Sequence, residues 1–508
     1  MNDIKNMKDI INYAANNYGD SVAFKYKISK KEIETRSYRN LKEDSETVSN
    51  ALKSLNMLGK HVAIIGSTSY EWIISYFGVV NSGGVIVPID DKLPVSDVCE
   101  LIERSDSEVL IYDNNRIDVA KAVKEKCHKI KHIISMTESL NNEFALSLNE
   151  IMGDNRGPFS MDIDNEKLCT ILFTSGTTGK SKGVMLNHRN LSDNATVCDM
   201  QLKPGTVSMT VLPINHIFCF TMDILKGIYC GLCICINDSM IRFSKNLSLF
   251  KPEVMCLVPM VIEGLYNKLM DASVMLPKKL IAGAALGGKL KTIYSGGAYL
   301  NPKYIDGFKA FGIDVIQGYG MTECSPVIST NLPGKVKKES VGQLVANCEA
   351  IVVDEEIYVK GSSVMMGYYK MPEETKETLV NGYLKTGDLG YIDEDNYLYI
   401  TGRRKNLIIL ANGENVSPEE LENGLLENRM VKETVVSEEK DVIKAEVFPD
   451  YDYLDKKKVK NVQEEIQNIV DKYNRELPSY KRINKVYIRK DEFEKTTSQK
   501  IKRQYVKK

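Results

Sequence analysis

The stretch FTSGTTGKSKG, from Phe173 to Gly183, sets three glycines and two lysines among small hydroxyl residues. It follows the apolar run LCTIL, so it reads as a buried strand that opens into a polar glycine loop. Such a loop suits phosphate: glycines let backbone amides approach an anion, hydroxyls donate hydrogen bonds, and lysines add charge. A Walker loop needs G-x-x-x-x-G-K-[ST], and Gly179-Lys180-Ser181 supplies the end of that pattern. The position five before Gly179 is Thr174, however, and Gly176 stands too close to Gly179. The spacing excludes a P-loop NTPase. What remains is a loop whose hydroxyls fold over the outer phosphates of ATP and place a hydroxyl near a metal.

On either side of this stretch, helical and strand patterns alternate. DIINYAANNYG and DSETVSNALKSLNML have apolar positions at helical spacing, and EWIISYFGVVNSGG reads as a buried helix ending at glycine. HVAIIGS, VIVPID, EVLIYD and HIISM read as short parallel strands. Further along, TVLPINHIF, CICIN, VMCLVP, TIYSGGA and VIQGYG read as strands that end in Gly, Pro or a polar residue. This predicts an α/β fold with parallel or mixed sheets flanked by helices. Ligands of such sheets collect beyond the carboxyl ends of the strands, so TSGTTG, SGGA and GYGMTE are expected to share one cleft. From about Val341, runs such as EIYVKG, YLKTGDLGYID and NYLYITGR predict a β-rich submodule. The segment after Gly402 carries the helical pattern PEELENGLLE and a basic tail.

At 508 residues the chain exceeds one usual hydrophobic core, and 43% hydrophobic with 27% charged residues is ordinary for a globular protein. The net charge of −1 gives no reason to propose nucleic acid as a partner. Between Tyr451 and Lys508, 17 lysines and arginines stand against 9 acidic residues. That excess reads as a solvated surface or as a basic face for an anionic ligand or acidic carrier. The N-terminus lacks a secretory pattern, and no apolar run reaches the roughly 18 residues of a membrane span. A cytoplasmic location is therefore expected, with the eleven cysteines reduced. Cys230 and Cys233 form a C-x-x-C, but the alternating apolar run around them reads as a buried strand. Cys127, His128 and His132 lack further ligands at metal spacing.

Six ordered motifs together resemble the AMP-forming acyl-activating, or adenylate-forming, superfamily. FTSGTTGKSKGV is similar to its phosphate loop, and LPINHIF to its substrate-side segment. GYGMTE resembles the nucleotide and metal motif, and KGSSVMMGYYKMPEET a following structural motif. YLKTGDLG with ITGRRKNLI resembles the ribose and hinge motifs, and EKTTSQKIKR the C-terminal lysine motif. The resemblance implies a large N-terminal ATP- and acid-binding domain, residues 1–402, and a small mobile C-terminal α+β domain, residues 403–508, with a hinge near Lys405.

The resemblance also implies roles for particular residues. Thr174, Ser175, Thr177 and Thr178, the amide of Gly176 and the charge of Lys182 would hold the β- and γ-phosphates. Glu323, with the Thr174 hydroxyl, would bind Mg²⁺, a hard cation suited to oxygen ligands. Thr322 would contact the α-phosphate. Tyr319, with Gly297, Ala298, Gln317 and Gly318, would enclose adenine. Asp388 would accept hydrogen bonds from the ribose hydroxyls, and Arg403 would support ribose and phosphate. Lys500 would bridge the α-phosphate and the attacking carboxylate, although Glu494 and Gln499 replace the usual proline and glycine of that motif. A turn about Lys405 would withdraw Lys500 and present Ala411 to Asn415 for thioester formation. His216 and Phe218 would border the acid or thiol channel.

The chemistry so implied activates a carboxylic acid with ATP to acyl-AMP, releases pyrophosphate, and passes the acyl group to a thiol. ANGENVSPEELE and GYGMTECSPVIS resemble bacterial long-chain fatty acyl-CoA synthetases, and Ile214, Ile217, Phe218 and Phe220 suit an aliphatic chain. ATP, Mg²⁺ and CoA are the cofactors implied. Alternatives are a carrier protein acting in trans as acceptor, an aryl or other acid as substrate, and a non-catalytic nucleotide sensor.

Overall fold

The computed structural model describes residues 4–29, 32–137, 144–174, 181–272, 277–410, 413–496 and 501–503. By their internal contacts these fall into two units, Met1–Ala350 with Val359–Leu384, and Ile351–Tyr358 with Lys385–Lys508.

The first unit is built on two sheets. Among the described residues, eight strands form one of them, with the phosphate strand Leu168–Thr174 between Val85–Ile89 and Lys182–Asn187. Val85–Ile89, His61–Ile65, Val109–Tyr112 and His132–Ser135 run parallel, because each is a short apolar run buried on both faces. The helix Tyr70–Asn81 is likewise apolar nearly all round and buried at every position but Glu71. Its Gly78 lets the helix Tyr38–Ser54 approach closely: a Cβ there would sit 2.4 Å from a Val48 methyl.

In the second sheet, nine strands are described, including the parallel series Val207–Thr210, Val254–Leu257, Thr292–Ser295 and Asp314–Gly320. One face carries a core of Met255, Leu257, Ile262, Ile293, Phe308 and Val315. Cys233–Ile236 is a buried strand of this sheet, and all eleven cysteines are free thiols.

One expectation fails here. TVLPINHIF is not a strand: pairing stops at Thr210, and Pro213 brings no amide to a ladder. The His216 amide donates to Pro213 O at 3.1 Å, and the Phe220 amide donates to His216 O at 3.0 Å. The chain thereby turns into the π-helical segment Cys219–Leu225.

In the second unit, Val431–Glu439 and Val442–Pro449 pair antiparallel, and Lys485–Ile488 adds in parallel. The helices Pro418–Leu425 and Val462–Asn474 pack Leu421, Leu425, Ile466 and Val470 against Ile443 and Val447 of that sheet. Tyr383–Ile392 and Leu398–Arg403 form an antiparallel pair that sets Asp388 opposite Arg403.

Candidate active site

Thr174 ends its strand opposite Lys182, so the two feet of the phosphate loop are neighbours across the ladder. Ser175, Gly176, Thr177 and Thr178 lie outside the described residues, as do Lys500 and Ala411. Arg104 spans the two feet: its guanidinium donates to Ser181 O at 2.6 Å and stands 5.4 Å from the Phe173 ring centre.

Lys182 reaches inward, with its ammonium 4.6 Å from the centre of the Tyr368 ring. The Tyr368 hydroxyl donates to Glu323 Oε1 at 2.9 Å. Burial and the adjacent Glu323 carboxylate push this phenol well above its ordinary range, so it remains a donor at neutral pH. A lysine at the phosphate strand and the acid of GYGMTE are thus joined through one tyrosine.

The turn Thr322–Cys324 that carries Glu323 is clamped from behind. Asn194, fully buried on the helix His188–Val197, donates to Cys324 O at 3.2 Å and Val327 O at 2.9 Å. Its Oδ1 accepts from the Val327 amide at 3.1 Å. One turn earlier on the same helix, Asn190 donates to Ser362 O and Val364 O at 2.8 and 2.9 Å. Met365 N donates to Glu323 O at 2.8 Å, so the two clamped segments also bond to each other. Glycine is required just before the turn, because a Cβ on Gly320 would lie 2.0 Å from Pro326 O.

Gln317, Gly318 and Tyr319 close the strand Asp314–Gly320, and Gln317 pairs with Ser295 of the neighbouring strand. Gly297 and Ala298 follow Ser295 in an exposed loop, with Gly297 at φ +84°. The Gln317 amide donates to Lys338 O and Ser340 O, both at 2.8 Å, and so fixes the loop beside it. Phe218 reaches the same place from the other segment, since a Cβ on Gly296 would meet its ring at 3.0 Å. His216 is half-buried at the start of the helical turn.

In the second unit the Arg403 Nε–H is 2.7 Å from Asp388 Oδ1, and Asp388 is 3% exposed. The Thr386 hydroxyl accepts from the Asp388 amide at 3.1 Å and donates to Ile357 O at 2.7 Å. Buried Glu356 accepts from the Gly387 amide at 3.1 Å and pairs with Arg404 at 3.1 Å. Gly387 sits at φ +71°, in the left-handed region that glycine enters freely. Lys405 stands on the exposed turn Arg404–Asn406 that follows.

The motif reading passed over Tyr368, Asn190, Asn194, Glu356 and Arg104. Asn190 and Asn194 carry a usable sequence signal, two amides at i, i+4 in HRNLSDNA, where a buried helix face is expected to be apolar.

Comparison with known proteins accords with this geometry. Residues 11–369 match the AMP-binding enzyme family, and residues 405–508 match the AMP-binding enzyme C-terminal domain. A long-chain-fatty-acid–CoA ligase of Bacillus subtilis is 28% identical over 495 residues, 88% of this chain and 84% of that protein. The long-chain-fatty-acid–CoA ligase FadD15 of Mycobacterium bovis is 27% identical over 427 residues, 74% of this chain and 71% of that protein. Among solved structures, the anthranilate CoA ligase AuaEII in complex with anthranoyl-AMP shares the fold at a TM-score of 0.85. The alignment covers 98% of this chain and 96% of that one at 22% identity.

The chain therefore belongs to the AMP-binding enzyme family. It is an AMP-forming acid–thiol ligase, a class that works with ATP, Mg²⁺ and CoA.

The residues present fit such a metal. Among the described residues, no three His, Cys, Asp or Glu side chains form a cage of their own. A single carboxylate, Glu323, with the Thr322 hydroxyl next to it in sequence suits Mg²⁺, which takes few protein ligands and draws the rest from phosphate and water.

Proposed function

We propose that the chain activates a medium- or long-chain fatty acid. An acid carboxylate oxygen attacks the α-phosphorus of ATP, the α–β anhydride bond breaks, and pyrophosphate leaves. The sulfur of CoA then attacks the acyl carbon, the carbon–oxygen bond to AMP breaks, and the thiol proton passes to solvent. The first step brings two anions together, so positive charge and metal are needed at that point.

In this reading Glu323 holds Mg²⁺, with the Thr174 hydroxyl beside it, and Mg²⁺ supplies charge neutralisation on the phosphates. Lys182 and the loop Thr174–Thr178 hold the departing phosphates, and Thr322 meets the α-phosphate. Gly297, Ala298, Gln317, Gly318 and Tyr319 receive adenine. Asp388 accepts from the ribose hydroxyls while Arg403, paired with it at 2.7 Å, keeps it oriented. Lys500 is the cation at the reacting phosphorus, with Lys405 as the pivot that separates the two half-reactions. His216 and Phe218 border the acid.

The observation that carries this reading is the series Lys182–Tyr368–Glu323, which links the phosphate strand to the GYGMTE carboxylate. Two of its relatives are long-chain-fatty-acid–CoA ligases, which favours a fatty acid and CoA. Eleven free thiols suit a reducing compartment such as the cytoplasm.

The test is pyrophosphate release from ATP across a panel of acids, followed by thioester formation with CoA or with a carrier protein. Fatty acids and CoA are expected to give the highest kcat/KM. Higher turnover with aryl acids, or with a carrier as acceptor, would replace that part of the reading.

A further inference from the structure

One buried carboxyl group in the first unit has no part in the nucleotide chemistry. Asp223 lies on the π-helical segment Cys219–Leu225, is 4% exposed, and its Oδ2 has no hydrogen-bond partner among the described residues. It lines a cavity together with Ser208, whose hydroxyl also lacks a described partner. Leu232 and the thioethers of Met200, Met222 and Met255 form much of the remaining wall. Buried polar atoms are rarely left unsatisfied, and two such residues lining one small, largely apolar void call for a third group between them.

The void lies near Phe218, which borders the acid in the function proposed above. Val254, Met255 and Cys256 line it, and the next residue of that strand, Leu257, accepts at 3.3 Å from the Gly296 amide. Phe218, five residues before Asp223 and so about one π turn away, packs on Gly296. At ~3.3 Å per strand residue, the cavity begins within about 10 Å of the loop Ser295–Gly297.

Its size and chemistry define what fits. The void holds about one water-sized group. A hydroxyl donates one hydrogen bond and accepts others, so it can donate to Asp223 Oδ2 and accept from Ser208 Oγ–H. An ammonium has three N–H groups for two acceptors and would itself be left unsatisfied. Burial pushes the Asp223 carboxyl up to about 7, against the opposing hydrogen bonds of the Cys256 and Cys219 thiols and the Cys256 amide. Near neutrality the acid is thus not the fixed anion that a cation requires. Methionine walls adapt readily to an entering chain.

We propose that this cavity is the far end of the acid channel, and that Asp223 with Ser208 selects acyl chains bearing a hydroxyl at the end remote from the carboxylate. This rests on the reading of the chain as an acid-activating enzyme.

The test measures pyrophosphate release by the full chain with straight-chain acids of matched length, unsubstituted, ω-hydroxy and ω-amino. The wild type is expected to favour the hydroxy acid by about tenfold or more in kcat/KM, since a site that pairs a hydroxyl rejects the analogue lacking it. Asp223→Leu is expected to reverse that ratio, and Asp223→Asn to retain part of it. Ser208→Ala, a smaller change should Asp223→Leu not fold, is expected to reduce the ratio. The KM for ATP should not move in any of these variants. A wild-type ratio near one, unmoved by the substitutions, overturns the proposal and leaves an ordered water in the cavity. A preference for the amino acid series overturns the hydroxyl assignment. Should no acid elicit pyrophosphate, the functional reading itself fails and this inference falls with it.

Discussion

The turn Thr322–Cys324 and the segment Cys219–Leu225 belong to the same unit and treat buried polar groups in opposite ways. Around the turn, Asn194 satisfies both carbonyls and an amide, and Tyr368 holds the Glu323 carboxylate. Along the segment, Thr221 Oγ1 and Asp223 Oδ2 have no partner among the described residues, nor has Ser208 Oγ, whose residue lines the same cavity as Asp223. The first arrangement suits a nucleotide and metal whose geometry is the same in every turnover, so its donors are fixed in advance. The second leaves hydrogen-bonding capacity open, as a surface that completes itself with a ligand does.

The comparison can be broken at several points. The largest effect is expected at Lys500→Ala, with pyrophosphate release reduced by about 10²–10³-fold, the range seen when a donor to developing charge is removed. Thioester formation from supplied acyl-AMP should survive. Normal adenylation by this variant would remove Lys500 from its role.

Asn194→Ala strands two carbonyls and an amide that are now paired, so unfolding in urea should show a loss of about 3 kcal/mol. The matched change Thr221→Val removes a hydroxyl with no described partner and should alter stability little. Equal losses from the two would erase the contrast between the regions.

Tyr368→Phe keeps the ring beneath Lys182 but deletes the donor to Glu323. The Mg²⁺ concentration for half-maximal activity should shift by about tenfold, the worth of one hydrogen bond to a charged group. An unchanged Mg²⁺ requirement would separate Glu323 from the metal.

The smallest effect is one of pH. An unfolded Asp223 loses its proton near the ordinary 3.8, whereas the folded one holds it up to about 7. Between those values the native state binds a proton the unfolded state lacks, so this group's contribution makes stability fall as pH rises. Asp223→Asn should flatten that part of the stability–pH curve between about pH 4 and 7. An unchanged slope would mean that the carboxyl is not buried as described.

Much of the fold was legible beforehand because buried parallel strands are short continuous apolar runs ending in glycine or polar residues. HVAIIGS, TIYSGGA and VIQGYG each became a strand with its glycine at or just past its end, and VIVPID became one that stops before the polar Asp90. TVLPINHIF misled for the same reason: its aliphatic residues fit a buried strand and a buried helix start equally, and only the partners available at Thr210 decided. At the site, Glu323 stands out within GYGMTE, but nothing local to that motif points to Asn194, which lies over a hundred residues away. Asp223, in FCFTMDILK, has the same difficulty, since periodicity does not say whether a lone acid faces water or a cavity.

The sequence by itself determined the chemistry class. Spacing ruled out the Walker loop, and six motifs in order carried the family likeness, because the groups that handle ATP must be of set types at set intervals along strand ends. Only the tertiary structure decided which side chains support them. Hydrogen bonds from Asn190 and Asn194, the ring between Lys182 and Glu323, and the unmatched oxygen of Asp223 all depend on residues distant in the chain meeting at hydrogen-bond or van der Waals range. Such meetings are set by how helices seat on sheets, and that packing leaves no local mark on the residues it joins.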